Sequence, residues 1–443
     1  MEKLGVKSEN VVFLGYGDKW DTEYNHIYHA PDNEIVKSYI GNIETYGNES
    51  VETFKEIMDS GQSSYTRDNY KNDIKNVILH YLPDTILAVD FDSHVDHRAT
   101  SLLFEEAMGE ILREYEEYEP NIFKGFAYNT SWNAVDDFYG VNLESTVAPD
   151  KSNIINDDYE LGVPNYDWNN RVRFPVPKEM LSYTKRSNLI YEALSEHKSQ
   201  NANLNTIRIV NSDQVFWKRD TSSVTYNADI EVSSGEKSYL NDFKLVDSSD
   251  ITERNAKFDK CIWIPEEHDT DKWVNVILES PSDIYSVSPY DNFSLDDNIL
   301  KGILTFSDGS EIIVENLNKN GSETTINFPV KNNIEYVTFE IVEYEGSEPG
   351  LCELEIFDKV KDVDIQYIKL MVDDEKETFM YRYTVLNERE ILLNIYSYPN
   401  TNNKITLDDC KISVIKGNEY LNVENNSLNI SDDIKTGKYK VRV

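Results

Sequence analysis

Ile86-Leu87-Ala88-Val89-Asp90-Phe91-Asp92-Ser93-His94-Val95-Asp96-His97-Arg98 decides how the first half of this chain is read. The apolar run ends at Val89, and beyond Arg98 the residues Leu102, Leu103, Ala107, Ile111 and Leu112 recur at helical spacing. A strand that feeds a helix through a polar turn is the joint at which open α/β sheets bind ligands. The turn holds the imidazoles of His94 and His97 and the carboxylates of Asp90, Asp92 and Asp96, beside helix N–H groups that favour negative charge. Such groups can hold a metal and titrate near neutral pH. A solvated polar loop with a chance His-x-x-His spacing fits the same string.

Outward from this joint the pattern is regular. Val11 to Tyr16 is a short apolar run that reads as a buried strand. From Asp68, the residues Tyr70, Ile74, Val77, Ile78 and Tyr81 predict a helix that Pro83 stops. Thr85 to Phe91 reads as a parallel-type strand and Ile122 to Tyr128 as another. The order β-α-β-α-β is that of a doubly wound sheet. Val141 to Pro177, with four prolines, is too long for an ordinary connection and reads as a lid or insert. A helix over about Pro177 to Gln200 and a strand over Ile207 to Phe216 close the domain.

Beyond Phe216 short alternating runs replace helical periodicity: Ser223 to Val232, Trp273 to Leu278, Ile303 to Phe306, Glu311 to Val314, Tyr336 to Val342 and Leu351 to Phe357. Strands at this spacing, with Asn, Asp and Gly between them, predict a β-sandwich. Ile365 to Val372, Phe379 to Leu386, Ile391 to Tyr396, Lys411 to Ile415 and Lys438 to Val443 predict a second one, of immunoglobulin-like form. The expected organisation is an α/β domain over 1–219, Rossmann-like and N-terminally incomplete, then two all-β sandwich domains over 220–358 and 359–443.

From Val11 to about Phe216 the chain resembles the PIG-L (LmbE-like) de-N-acetylase family. His94-Val95-Asp96-His97-Arg98 is similar to that family's His-Pro-Asp-His-Arg signature, and Phe13-Leu14-Gly15-Tyr16-Gly17-Asp18 to its strand ending in Leu-Gly-x-x-Asp. Thr45-Tyr46-Gly47 and Ala193-Leu194-Ser195-Glu196-His197-Lys198-Ser199-Gln200 resemble further family segments in the same order. The resemblance implies zinc-assisted hydrolysis of an N-acetyl group on a sugar. His97 would be a zinc ligand and His94 the histidine facing the oxyanion, with Asp96 orienting an imidazole and Asp18 reaching substrate hydroxyls. Arg98 matches the family's arginine on the substrate side. Asp18 and Asp96 equally fit ordinary loop or cap carboxylates, and Arg98 a solvated first-turn residue.

Lys272-Trp273-Val274-Asn275-Val276-Ile277-Leu278 and Cys352-Glu353-Leu354-Glu355-Ile356-Phe357 resemble discoidin modules, many of which bind glycans. Trp263 and Trp273 fit core packing as well as a sugar platform.

The chain departs from the deacetylase pattern in one large respect. The family's Ala-His-Pro-Asp-Asp-Glu segment, which supplies two zinc ligands and the general base, has no counterpart ahead of Val11. One imidazole does not make a zinc site. The expectation is therefore weak zinc binding and little activity unless another polypeptide supplies that segment. His29-Ala30-Pro31-Asp32-Asn33-Glu34 is a scrambled likeness of it, and turn chemistry explains it better.

Composition bounds the alternatives. With Lys plus Arg at 43 against 81 Asp plus Glu, the formal net charge of −38 disfavours nucleic acid and anionic membrane surfaces as partners. A neutral N-acetylated sugar or glycan suits this charge better. Cys261, Cys352 and Cys410 form no disulfide framework. No apolar run reaches the ~20 residues of a membrane span, and no signal-peptide core follows Met1. The appended β modules point to the cell surface or exterior. Two function classes stand at this stage: a de-N-acetylase completed by a further segment, and a catalytically inactive glycan-binding surface protein.

Overall fold

The computed structural model describes residues 2–17, 27–47, 51–90, 95–115, 117–125, 172–174, 176–177, 180, 182, 184–198, 210, 214–245, 261–294, 296–321, 323–360, 367–372, 390–398, 411–424, 427–435, 437 and 439–442. Two compact units emerge. The first joins Met1–Asn129, Ser152–Tyr166 and Lys218–Lys361; the second joins Thr130–Lys151, Asp167–Trp217 and Asp362–Val443.

In the first unit, α1 (Phe54–Asp59) starts at a capping box in which Thr53 Oγ1 accepts the Glu56 N–H at 3.2 Å and the Glu56 carboxylate accepts the Thr53 N–H at 2.7 Å. Helix α2 (Arg67–Tyr81) is capped by Thr66 and ends in a left-handed Leu82 just ahead of Pro83. Strand β1 (Thr85–Val89), helix α3 (Val95–Glu114) and strand β2 (Asn121–Gly125) follow. β1 and β2 are parallel and in unbroken register from Thr85↔Asn121 to Val89↔Gly125. Helix α3 is the crossover between them, and its Leu102, Leu103, Ala107, Met108 and Ile111 share one core with Ile86, Ala88 and Ile122.

The sheet reading needs one correction. Val11 to Tyr16 forms no strand; it contributes a single bridge, Phe13↔Thr53. An apolar run becomes a strand only when a neighbour takes up its N–H and C=O groups, and no described strand lies alongside it. One β-α-β unit is present among the described residues, and a complete Rossmann-like sheet is not seen.

The chain next enters the second unit, where β3 (Val172–Phe174) precedes α4 (Leu189–Ser195), capped by Asn188. Of the helix expected over Pro177 to Gln200, α4 and a 3-10 turn at Lys185–Ser187 are what the described residues contain. β4 (Gln214–Arg219) pairs antiparallel with β3 and leads back into the first unit. The lid expected over Val141 to Pro177 lies mostly outside the described residues.

Lys218–Lys361 forms a β-sandwich built from β5 (Asp229–Val232), β6 (Trp273–Asp291), β7 (Asn298–Phe306), β8 (Glu311–Glu315), β9 (Ile326–Glu345) and β10 (Leu351–Phe357). The sheet order is β10-β6-β9-β7-β8, with β5 on β6. Its core holds Trp263, Val274, Val276, Leu304, Phe306, Val337, Phe339 and Leu354. The expected runs at Trp273 and Tyr336 are the starts or middles of much longer strands, because β6 and β9 stay paired through several register shifts.

Within this unit α3 is buried on a second side. Its core also includes Tyr226, Phe243 and Cys261 from the sandwich segment. The strap Asn241–Leu245 runs along the helix: Arg113 donates to the Asn241 carbonyl at 2.8 Å, Lys244 Nζ to Glu106 at 3.1 Å, and the Leu245 N–H to Glu105 at 3.0 Å. Phe243, fully buried, takes a left-handed φ of 67°. The segments 1–129 and 218–361, set apart at 219/220 in the sequence reading, thus share one compact unit.

The described residues in the remainder of the second unit form strands and their connections. β11 (Tyr367–Val372), β12 (Glu390–Tyr398), β13 (Ser413–Lys416), β14 (Leu421–Glu424), β15 (Ser427–Ile430) and β16 (Lys440–Arg442) form a sheet of order β11-β12-β15-β14 and the pair β13-β16. All of the recorded pairings are antiparallel, as the sandwich expectation requires. The strand expected at Phe379 to Leu386 lies outside the described residues.

Candidate functional site

The joint after β1 sits where the sequence placed it, at the carboxyl end of a parallel strand and the start of α3. Asp96 and His97 lie in the first turn of α3, both half-buried. Arg98 is in the same turn, with its side chain outside the described set. His94 and Asp18 lie outside the described residues altogether. The approach to Asp18 is nevertheless fixed up to Tyr16. The Tyr16 ring stacks on Tyr70 of α2 at 4.2 Å, and its hydroxyl donates to Asp73 at 2.9 Å. Burial, reinforced by Asp73, raises the Tyr16 hydroxyl pKa far above its ordinary value. The Tyr70 hydroxyl lies 2.7 Å from Thr100 Oγ1, which donates to the Asp96 carbonyl at 2.7 Å. Tyr16, Tyr70 and Thr100 therefore connect the segment before Asp18 to the first turn of α3.

Beneath the joint is a sealed polar cluster that the sequence reading missed. Lys124 of β2, fully buried, meets Asp90 at 2.9 Å, donates to Ser101 Oγ at 2.8 Å, and pairs closely with Glu105. Burial opposes the ammonium charge, but Asp90 and Glu105 outweigh it and hold the Lys124 pKa above its usual value. Burial raises the Glu105 carboxyl against the pull of Lys124. The signal was a lysine inside the strand Ile122-Phe123-Lys124-Gly125 and a glutamate on the apolar face of α3. Sealed from solvent, the cluster anchors the end of β1 and has no open side for a substrate.

The described residues do not by themselves fit a zinc ion: among them no group of three or more His, Cys, Asp or Glu is placed to hold a metal. His29 and Asp32 follow the turn reading. The Glu34 N–H donates to the Pro31 carbonyl at 2.9 Å, and Asp32 receives Arg67 at 3.2 Å.

The sandwich separates the two tryptophans. Trp263 is fully buried, with its indole N–H on the Ser234 carbonyl at 2.8 Å. Trp273 is half-buried on the outward face of β6. In register with it, Glu340 of β9 faces out, and Ile303 of β7 and Ile313 of β8 continue the row. The next row carries Glu231, Asn275, Thr338, Thr305 and Glu311, with Thr338 Oγ1 donating to Asn275 at 2.9 Å. Tyr336 is 39% exposed on the same face of β9; Tyr344, beyond two slips in register and opposite the core residue Ile299, lies outside this row, with the Lys272 ammonium 5.4 Å from its ring centroid. Aromatic side chains and hydrogen-bonding groups thus alternate on one open face.

Residues 223–357 match the profile of DUF7402, a domain of unknown function; this match covers the sandwich and lends no support to the PIG-L expectation for Val11 to Phe216. Solved structures similar to about a third of the chain include a family 32 carbohydrate-binding module, CpGH89CBM32-5 from Clostridium perfringens, in complex with GalNAc-beta-1,3-galactose (18% identity, 30% of this chain and 96% of that one, TM-score 0.23). Others are chitosan-binding module 1 of a chitosanase/glucanase from Paenibacillus sp. IK-5 (16% identity, 30% and 98%, TM-score 0.22) and the lectin domain of lectinolysin complexed with Lewis B antigen (17% identity, 32% and 100%, TM-score 0.24). No curated protein matches.

Proposed function

We propose that the chain binds glycans, and that the outward sheet face of the 223–357 sandwich is the binding surface. The carrying observation is the face itself, where Trp273 and Tyr336 sit among Asn275, Thr338, Thr305 and Glu340. A sugar ring presents apolar C–H groups and polar hydroxyls together. Aromatic rings cover the former, and amide, hydroxyl and carboxylate groups bond the latter, the carboxylate most strongly. Calorimetry against oligomers of N-acetylglucosamine, glucosamine and galactose tests the proposal. Trp273→Ala combined with Tyr336→Ala is expected to weaken binding at least tenfold, about 1.4 kcal/mol, with the far-UV spectrum unchanged. Binding unaltered by these changes, or absent for every sugar, overturns it.

A second reading, hydrolysis of an N-acetyl group on a sugar, keeps one support: Asp96 and His97 stand at the start of α3, at the carboxyl end of a parallel strand. Its test is zinc stoichiometry together with acetate release from N-acetylglucosaminides. Neither metal uptake nor acetate release from the purified chain leaves glycan binding as the activity.

A further inference from the structure

The register of the sandwich resolves its outward face into three rows that run across the strands. The middle row is wholly polar: Glu231 of β5, Asn275 of β6, Thr338 of β9, Thr305 of β7 and Glu311 of β8. Trp273, Glu340, Ile303 and Ile313 flank it on one side, and Asp229, Ile277 and Tyr336 on the other. A hydrogen-bonding track thus lies between two flanks that are mostly apolar. Its ends, Glu231 and Glu311, stand four inter-strand spacings apart, roughly 19 Å. Asp229, Glu231, Glu311 and Glu340 are all exposed, and among the described residues none of the four is in an ion pair. No lysine or arginine stands in these rows.

We infer that this face selects a linear glycan bearing free, protonated amines, laid across the strands along the middle row; the inference rests on the face being the glycan site. Glu231 and Glu311 pair with amines at the two ends of the bound stretch and Glu340 with one between them, while Trp273 and Tyr336 cover the C–H faces of the rings. A carboxylate holds an ammonium group more strongly than a hydroxyl, and it repels an anionic chain. One exposed ion pair contributes little, so selectivity comes from several amines of one chain acting together. The carboxylates are too dispersed to share a metal ion, in keeping with the absence of such a group among the described residues. A basic peptide suits the face less well. The backbones of β6, β9 and β7 are paired on both sides within the sheet, which leaves a crossing peptide no edge to extend.

The test is calorimetry on the full chain with the hexamers of glucosamine and of N-acetylglucosamine, at about pH 5.5, well below the titration range of an α-amino group. The glucosamine hexamer is expected to bind at least tenfold more tightly. That preference should shrink below threefold in the double variant Glu231→Gln/Glu311→Gln, and likewise at about 1 M salt, where charges are screened beyond ~3 Å. Equal or tighter binding of the N-acetylated hexamer overturns the inference and leaves glycan binding standing, whereas binding of neither hexamer removes both. Hexalysine is the control for charge alone. An affinity for hexalysine equal to that for the glucosamine hexamer would assign the face to basic chains in general and also overturns the inference.

Discussion

Gly109 of α3 lies directly against the carbonyl oxygen of Asp242, so close that a methyl group in place of its hydrogen would overlap that oxygen. The obstacle is backbone, in the strap that carries the left-handed Phe243, and it has little room to retreat. Gly109→Ala is therefore expected to destabilise the first unit by about 2 kcal/mol, in the range for overpacked interiors, even though alanine favours helix. Gly61→Ala is the control, since a Cβ there meets the flexible Asp59 carboxylate instead. Urea midpoints of both variants decide the matter, and equal midpoints would show the strap to be movable.

Lys124 contacts both Asp90 and Glu105 in the sealed interior beneath β1. Lys124→Met is expected to cost about 3–5 kcal/mol, the range for removing one partner of a buried ion pair. Adding Asp90→Asn and Glu105→Gln to it should recover part of the loss, because no uncompensated charge then stays buried. Chemical denaturation of the single and triple variants at pH 7 checks both signs.

Asp291, at the end of β6, accepts the Asn292 N–H at 2.9 Å and the Ile299 N–H at 3.0 Å. Burial still pushes its pKa up to about 7. The unfolded value is about 3.9, so between these pH values the folded chain binds the proton more tightly. Stability is then greatest below about pH 4 for this group and declines until about pH 7. Burial acts in the same direction on Glu105 and Glu353. The urea midpoint is expected to be higher at pH 5 than at pH 7.5. Asp291→Asn should flatten the slope, at a lower midpoint overall because an amide offers one acceptor where the carboxyl had two. A midpoint that rises with pH through this window contradicts the assignment.

Cys261 belongs to the sandwich segment by sequence and to the α3 core by packing. Burial pushes its thiol up to about 12, and Cys352 is raised well above its usual value for the same reason. In a Cys410→Ser chain, thiol reagents at pH 8 are expected to label neither residue until the chain unfolds. An excised 220–361 fragment lacks the helix that covers Cys261, and labelling there should be at least tenfold faster for Cys261 than for Cys352. Equal protection in the fragment would show that the sandwich folds without α3.

The sequence conveyed the local elements well and their partners poorly. Thr66, Pro83 and the spacing of Tyr70, Ile74 and Ile78 mark α2 because caps and one helix face are properties of adjacent residues. Val11 to Tyr16 reads as a strand by composition, yet a strand requires a neighbour, and that is not written in the run itself. Trp263 and Trp273 look alike in sequence; the register of β6 against β9 turns Trp273 outward, whereas Trp263 is held in the core beside its bridge partner Leu351. Lys124 and Glu105 announced themselves as charges within apolar runs, but their pairing depends on how α3 crosses β2. Asp96 and His97 were placed by a strand-to-helix reading that needs few long-range contacts.

The slips in register between β6 and β9 fall at Ile277/Ser282, Ser282/Ile284 and Ile284/Ser286, whereas Trp273 to Ile277 pairs without interruption. Side chains alternate across a sheet, so one extra residue inserted in the uninterrupted stretch would turn part of the Trp273–Asn275–Ile277 set inward and bring core residues such as Val274 or Val276 outward. The same insertion between Glu279 and Ile284 would meet a stretch already out of step and could be absorbed there. Length variation in this sandwich should therefore be confined to the slipped stretch, and the reading frame of the exposed face kept strictly in phase.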